Sequence, residues 1–427
     1  MNRRQALQSL ALAPWLQGLA QPRAPRGGSA RHVIDTFETF RLPVNHRGDW
    51  VLLRTSTSSG LHGLGEGSHS GNDERAIALV RQYLQALAGR SIFDIEWLRQ
   101  WARPEIAKNG RVAAVALSAI EQSLWDLQGQ ALGVPAYQLF GGRLRSRIRQ
   151  YANINRVTTD RTPDGFARSA ADAVKGGFDA VKLAPFDGMP AGPASARAQH
   201  VRLGVESARA VRGVLGSSRD LLIDVHSLMT LDEGLALVAE LEPLKLYWLE
   251  EVTPAEPPDV LASIRRAASM TTAGGEGIYG LEAFYRYAAA DAVDVLMPDV
   301  KWCGGMLELR KVAAMAEAMG LRVSPHGPAS PVGNAAVAHL CAALPNIDIN
   351  EFAFGEAPWR ADLIDPPEAF DAGHLTVSDR PGFGVRLNDA LVRRLAKLRL
   401  GEMGRRRPAV SSHYLTKGCR SDSPRCE

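Results

Sequence analysis

The sequence predicts an α/β protein, a TIM-type barrel preceded by a smaller α+β domain. Three observations predict it. From IRQYANIN at 148–155 onward, strand-like runs alternate with helical ones. Six polar residues end six of those runs in succession, at nearly equal steps. Ahead of them, over roughly 31–145, strand-like runs come first and amphipathic helices follow, which is a separate organisation. A chain of 427 residues exceeds one typical domain and suits a barrel with a companion.

In chain order, residues 34–66 carry β-branched and apolar residues in short bursts, including WVLLRTSTSSGLHGLGEG. That is a small meander with a Gly-rich turn. DERAIALVRQYLQALAG and RVAAVALSAIEQSLWDLQGQALG then show 3.6-residue periodicity and end at glycines suited to helix C-caps. The candidate barrel strands are 148–153, 179–183, 220–224, 246–250, 271–275, 293–297, 321–324 and 347–351, within a barrel spanning 146–360. Helical runs such as PDGFARSAADAVKGG and MLELRKVAAMAEAMG lie between them. Residues 185–204 read as an insertion after the second strand, forming a rim loop. Residues 361–400, with DAGHLTVSDRPGFGVRLN, read as a return to the first domain, and 401–427 as a disordered tail.

Composition excludes several classes. Hydrophobic content of 45% and charged content of 22% are those of a soluble globular protein. The net charge of +4 comes without a basic stripe interleaved with aromatics, and the RRR at 405–407 is a short tail cluster, so no nucleic-acid partner is expected. Cysteines at 303, 341, 419 and 426 are too scattered for a disulfide scaffold or a zinc site, although Cys419 and Cys426 are close enough to pair after export. Residues 1–30 read as a signal peptide and linker. Arg3 and Arg4 precede a mild apolar run over 6–20, interrupted by Gln8, Ser9, Pro14 and Gln17. The layout resembles a twin-arginine signal and implies a periplasmic protein, the alternative being a cytoplasmic protein with a frayed extension. The run is too short and polar to span a bilayer, which takes about 20 apolar residues, so no membrane association is expected after export.

The strand ends carry the chemistry. Asp224 in LLIDVH, Glu250 in LYWLEE and Glu276 in TTAGGEG are 26 residues apart at each step, about one strand–helix unit. Residues so spaced converge on one barrel face. Three converging carboxylates repel each other unless a hard cation holds them, and Mg²⁺ prefers such oxygen ligands. Asp299 in VLMPDV, His326 in RVSPHG and Glu351 in IDINEF continue the rhythm at steps of 23, 27 and 25. Glu251 points the other way from Glu250 on a strand and is left out of the metal shell.

Lys182 in AVKLA, Asp224-Val-His226, Glu250-Glu251, Gly275-Glu276, MPDVKWCGG and SPHGP together resemble the enolase superfamily. Within it they are similar to the mandelate racemase subgroup, above all to acid-sugar dehydratases of the galactonate dehydratase type. The resemblance covers about 33–390 and includes ALSAIEQSLWDLQGQALGVPAYQLFGG in the first domain. It implies a (β/α)7β barrel whose mouth is capped by the first domain. It implies that Asp224, Glu250 and Glu276 ligate Mg²⁺, which binds the carboxylate of a small-molecule substrate. It further implies His326 as base, with Asp299 fixing its tautomer, and His226 as the acid that protonates the departing hydroxyl. Lys182 and Glu351 would attend the substrate carboxylate, Glu351 in protonated or proton-sharing form. Where many relatives carry a second lysine, two residues after the first, this chain has Ala184, which disfavours two-base racemisation.

The implied reaction is dehydration of an aldonate or aldarate to a 2-keto-3-deoxy acid by a homo-oligomeric enzyme, a dimer or octamer. An epimerase or cycloisomerase is the alternative within the family, and a non-catalytic exported acid-sugar-binding protein the alternative outside it. His46, Arg47, Ser68, His69 and Asn72 of the cap, the insertion at 185–204 and GEAPWR at 355–360 are the candidates for contacting the distal substrate hydroxyls.

Overall fold

A computed structural model describes residues 32–402, with side chains through 396. The expected signal and linker at 1–30, the tail from 403 on, the 405–407 cluster, Cys419 and Cys426 lie outside the described residues.

The first domain begins with an antiparallel meander of β1 (Ile34–Asn45), β2 (Gly48–Thr57) and β3 (His62–Glu66). Helices α1 (Asp73–Ala86), α2 (Ile95–Asn109) and α3 (Arg111–Leu132) follow. The turn expected in this stretch falls at 58–60, where Gly60 takes φ 83°; the GLGEG segment beyond it is strand and strand end, and packing gives the reason. A Cβ on Gly65 would stand 2.0 Å from Ala119 O and one on Gly63 2.2 Å from Ser123 O, so these glycines let β3 lie directly on the backbone of α3. Gln122 then pairs with the backbone of Glu66, accepting from its N–H and donating to its carbonyl, and Asp126 accepts from Leu64 N.

Among the described residues, eight parallel strands form the second unit. They are β4 (Arg147–Asn153), β5 (Ala180–Leu183), β6 (Asp220–Asp224), β7 (Trp248–Glu250), β8 (Thr272–Gly274), β9 (Val295–Leu296), β10 (Arg322–Val323) and β11 (Asn350–Ala353). Each pairs with the next up to β10, β11 returns to β4, and a bridge from Val323 to Ile347 completes the ring. Seven helices fill the crossovers: α4 (Pro163–Lys175), α5 (Ala194–Leu215), α6 (Leu231–Leu241), α7 (Pro258–Ala267), α8 (Leu281–Ala289), α9 (Met306–Ala318) and α10 (Pro331–Ala343). This is the (β/α)7β barrel that the sequence implies. Local chemistry sets several helix starts. The Thr162 hydroxyl accepts from Gly165 N ahead of Pro163, and Thr230 with Glu233 forms a reciprocal capping box.

The loop expected over 185–204 is shorter than that: only 185–193 is irregular, and α5 takes the rest. Gly204 does not stop the helix. It admits the Phe186 ring, which a Cβ there would meet at 2.4 Å, while Val205, Ala208, Val211 and Leu215 join the barrel core.

After β11 the chain serves both units. β12 (Ile364–Asp365) packs on the cap core without joining its three-stranded sheet, and the hairpin of β13 (Phe370–Asp371) with β14 (His374–Thr376) instead extends barrel strand β4, which β14 meets antiparallel. The chain then returns through β15 (Arg386–Leu387), which pairs with β12, to helix α11 (Asp389–Glu402). Leu363, Ile364, Leu391 and Val392 join Phe40, Leu42 and Trp50 of the cap sheet. Among the described residues, no helix is long and apolar enough to cross a membrane.

Candidate active site

Strand alternation aims the site. Leu222, Trp248, Ala180 and Ile349 cluster inside the barrel, whereas Leu221, Ile223, Leu249, Val181 and Leu183 pack outward against the helices. Asp224, Glu250, Lys182 and Glu351 share the parity of the inward set. They therefore stand within the barrel at its C-terminal mouth, each buried. Asp224 and Glu250 end their strands, Glu276 lies two residues past β8, and Glu351 is the second residue of β11. One carboxylate oxygen from each of Asp224, Glu250 and Glu276 falls within 4.8 Å of the others. Trp248 Nε1 donates to Glu250 Oε2 at 2.9 Å and steadies that side chain.

Glu251 stands outside this group. Its oxygens accept from Gly275 N and the Ser227 hydroxyl, and burial followed by the charge of Glu276 pushes its pKa up to about 7. It ties together the loops that follow β6 and β8.

Lys182 is the cation of the centre. Its Nζ lies 2.7 Å from Glu250, 3.1 Å from Glu351 and 3.4 Å from Asp224. Burial disfavours the ammonium, but these carboxylates outweigh it and hold the charge. Glu351 departs from the protonated form that the sequence implies. Burial raises its pKa, yet Lys182, His326, the Gly327 N–H and Asn153 Nδ2 (2.6 Å to Oε1) bring it down to about 2. It is a carboxylate here because donors and cations face it.

His326 and His226 stand on opposite sides of the three acids. His326 Nδ1 donates to Asp299 Oδ2 at 2.8 Å, and its Nε2 lies 3.2 Å from Glu276 Oε2. A carboxylate only accepts, so Asp299 places a ring proton on Nδ1 and leaves Nε2 turned inward. Burial lowers the imidazole pKa, but Glu276, Glu351 and Asp299 together raise it. On the other side, His226 Nε2 lies 3.1 Å from Asp224 Oδ2. Its backbone is left-handed at φ 49°, and its N–H bonds Asp224 Oδ1 at 2.9 Å.

Two partners were not singled out from the sequence. Lys301, buried two residues after Asp299, donates from Nζ to Asp299 Oδ2 at 2.8 Å and, against the opposing effect of burial, keeps that acid ionised. A lysine beside the expected orienting aspartate in MPDVKW was the available signal. Asp187, inside the stretch expected to be a rim loop that could contact distal hydroxyls, meets His226 Nδ1 at 2.5 Å.

The candidate distal contacts sort themselves. His46 and Arg47 line a cleft of about 2200 Å³ above the centre, as do Arg161, Asp187, His226 and Glu276. Ser68 is committed to Glu66 Oε1 and Val51 N, and the His69 backbone bonds Asp73. Asn72 precedes α1 without a side-chain cap bond. GEAPWR is structural: Glu356 pairs with Arg156, Trp359 packs on Trp50, and Arg360 bonds Glu368.

The donor set fits a hard divalent cation. Four carboxylates (Asp224, Glu250, Glu276, Glu351) face one ammonium and two imidazoles, a deficit of positive charge in a largely buried space. Glu276 Oε2 is buried with no hydrogen-bond donor among the described residues, and the three candidate ligands offer oxygen only.

Comparison with known proteins points the same way. Residues 39–141 match the mandelate racemase / muconate lactonizing enzyme N-terminal domain, and residues 165–391 match the enolase C-terminal domain-like family. The chain is 31% identical over 375 residues to a D-xylonate dehydratase of Haloferax volcanii, covering 85% of this chain and 89% of the relative. It is 31% identical over 366 residues to a D-galactonate dehydratase of Verminephrobacter eiseniae, covering 84% and 93%. Among solved structures, a mandelate racemase/muconate lactonizing enzyme-like protein from Rubrobacter xylanophilus superposes with a TM-score of 0.78 at 31% identity, covering 85% of this chain and 97% of that one.

Proposed function

The chain belongs to the mandelate racemase / muconate lactonizing enzyme family of the enolase superfamily, and from that premise we propose that it is a Mg²⁺-dependent dehydratase of an acid sugar. The observation that carries the reading is the pair of histidines on opposite sides of one carboxylate triad, one of them bonded to Asp299. Relatives that are dehydratases of xylonate and galactonate support the carbon–oxygen lyase class.

Asp224, Glu250 and Glu276 would hold the metal, which when bound supplies Lewis-acid charge at the substrate carboxylate. His326 Nε2 takes the proton from the carbon alpha to that carboxylate. The electron pair moves into the carboxylate as an enediolate, whose charge Lys182 offsets at close range in a site shielded from water. The pair then forms the Cα–Cβ double bond as the β C–O bond breaks, and the hydroxyl takes a proton from His226 Nε2 and leaves as water. The enol gains a proton at C3, loses the proton of its C2 hydroxyl and becomes a 2-keto-3-deoxy acid. Glu351 acts as a carboxylate that positions Lys182 and the Gly327 turn. Ala184 offers a buried methyl where a second base would stand, which favours elimination over racemisation.

Arg3 and Arg4 with their mild apolar run support a periplasmic place of work. The activity test is 2-keto acid formation from a panel of mono- and diacid sugars with Mg²⁺. The reading expects a substrate whose turnover is abolished by EDTA and by His326→Asn. Turnover that survives both treatments would remove it.

A further inference from the structure

Resting on the dehydratase reading, we propose that Asp187 is the positioning residue of the acid histidine, so that the site holds two opposed Asp–His pairs, one for each proton transfer. The first pair is Asp299 with His326. Its geometry recurs around His226: Nδ1 meets an aspartate oxygen at 2.5 Å, and Nε2 points at the triad, 3.1 Å from Asp224 Oδ2. In the first pair the corresponding distances are 2.8 Å to Asp299 and 3.2 Å to Glu276. An imidazole tied by a carboxylate at Nδ1 has one remaining nitrogen to offer, and in both pairs it faces the same centre.

Asp187 is itself held. Arg47, in the two-residue turn between β1 and β2 of the cap, forms an ion pair with Asp187 Oδ2, and Arg161, after β4, lies 3.3 Å from the same oxygen. Oδ1 is thereby turned to His226. Arg161 is in turn fixed by bonds to the carbonyls of Ala184 and Asn155. Phe186, the residue before Asp187, is fully buried against Gly204 of α5, which anchors the short loop. The loop after β5 is therefore built to aim one carboxylate, and a cap residue completes the arrangement. Ring rotation of His226 about its own side chain would otherwise be free to carry Nε2 off the substrate's β-oxygen. In the step itself, the β C–O electron pair leaves with the oxygen, which gains the Nε2 proton and departs as water, while Asp187 only holds the opposite nitrogen.

The test separates the two proton transfers. In D₂O with Mg²⁺ and a turned-over acid sugar, α-proton exchange reports His326 and water loss reports His226. Asp187→Ala is expected to lower kcat for elimination about 10²-fold, the usual cost of a displaced catalytic group, while exchange stays near the wild-type rate. Asp187→Asn, whose Oδ1 can still accept from Nδ1, should recover part of the loss. His326→Asn should abolish both signals. A parallel fall in exchange and elimination for Asp187→Ala, or no fall in either, overturns the proposal while leaving the dehydratase reading intact. A wild type that neither exchanges nor eliminates removes the reading itself. Independently of turnover, a downfield imidazole N–H resonance is expected in the wild type and lost in both Asp187→Ala and His226→Asn; a resonance unchanged in Asp187→Ala contradicts the pairing.

Discussion

His339 gives the fold a measurable weakness to acid. It lies on α10, essentially buried between the rings of Tyr137 and Phe383, with Nε2 donating to the Phe383 carbonyl at 3.2 Å. Its Nδ1 is buried without a partner, so a second ring proton would sit unpaired in an apolar slot. Burial accordingly lowers its pKa from 6.5 to about 4. The folded state therefore favours the neutral ring. The associated stability is fully present above pH 6.5 and is lost as pH falls through 4. That depression corresponds to about 3 kcal/mol in the acid limit, of which about 2 kcal/mol is already gone at pH 5. His69, lowered to about 4 chiefly by burial and then by Arg111, adds a loss in the same window. His339→Phe isolates one contribution, because it keeps a ring in the slot and its lost bond to Phe383 costs the same at every pH. Urea unfolding of wild type and variant at pH 7.5 and pH 5 should show the variant losing about 2 kcal/mol less between the two. Equal losses would refute the assignment of that pH dependence to His339.

Other outcomes follow from the same contacts. Gly65→Ala should destabilise the protein by about 1–3 kcal/mol in denaturant unfolding, since its Cβ would stand 2.0 Å from Ala119 O and force β3 off α3. Lys301→Met should cost about 3–5 kcal/mol, because it leaves Asp299 buried without its ammonium partner. Glu276→Gln should weaken Mg²⁺ binding at least about tenfold by calorimetric titration, since it removes one of three anionic oxygen donors.

The fold was legible where pattern and physics coincide. Asp224, Glu250 and Glu276 were legible as strand ends 26 residues apart, and the barrel brings the three together as that spacing requires. The length of the rim loop was not legible. The insertion reads as a loop running to Gly204, but Gly204 sits inside α5, where a buried Phe186 ring occupies the space of its side chain. The closeness of α3 to Gly63 and Gly65 was likewise not legible, since only the packed structure brings the α3 backbone against them. Glu351 was located but its ionisation was not, because that depends on Lys182, Asn153 and Gly327 arriving from three other segments. Asp187 and Lys301 were hidden for the same reason: a lone acid in a loop and a lone lysine become informative only beside His226 and Asp299.

The most direct test is to follow the proposed reaction in D₂O by proton NMR, with Mg²⁺ and each acid sugar that the protein consumes. The expected product is a 2-keto-3-deoxy acid carrying deuterium at C3, formed by the wild type and not by His326→Asn. Recovery of an intact sugar acid inverted and deuterated at C2, with no keto acid, would contradict it and make the chain an epimerase.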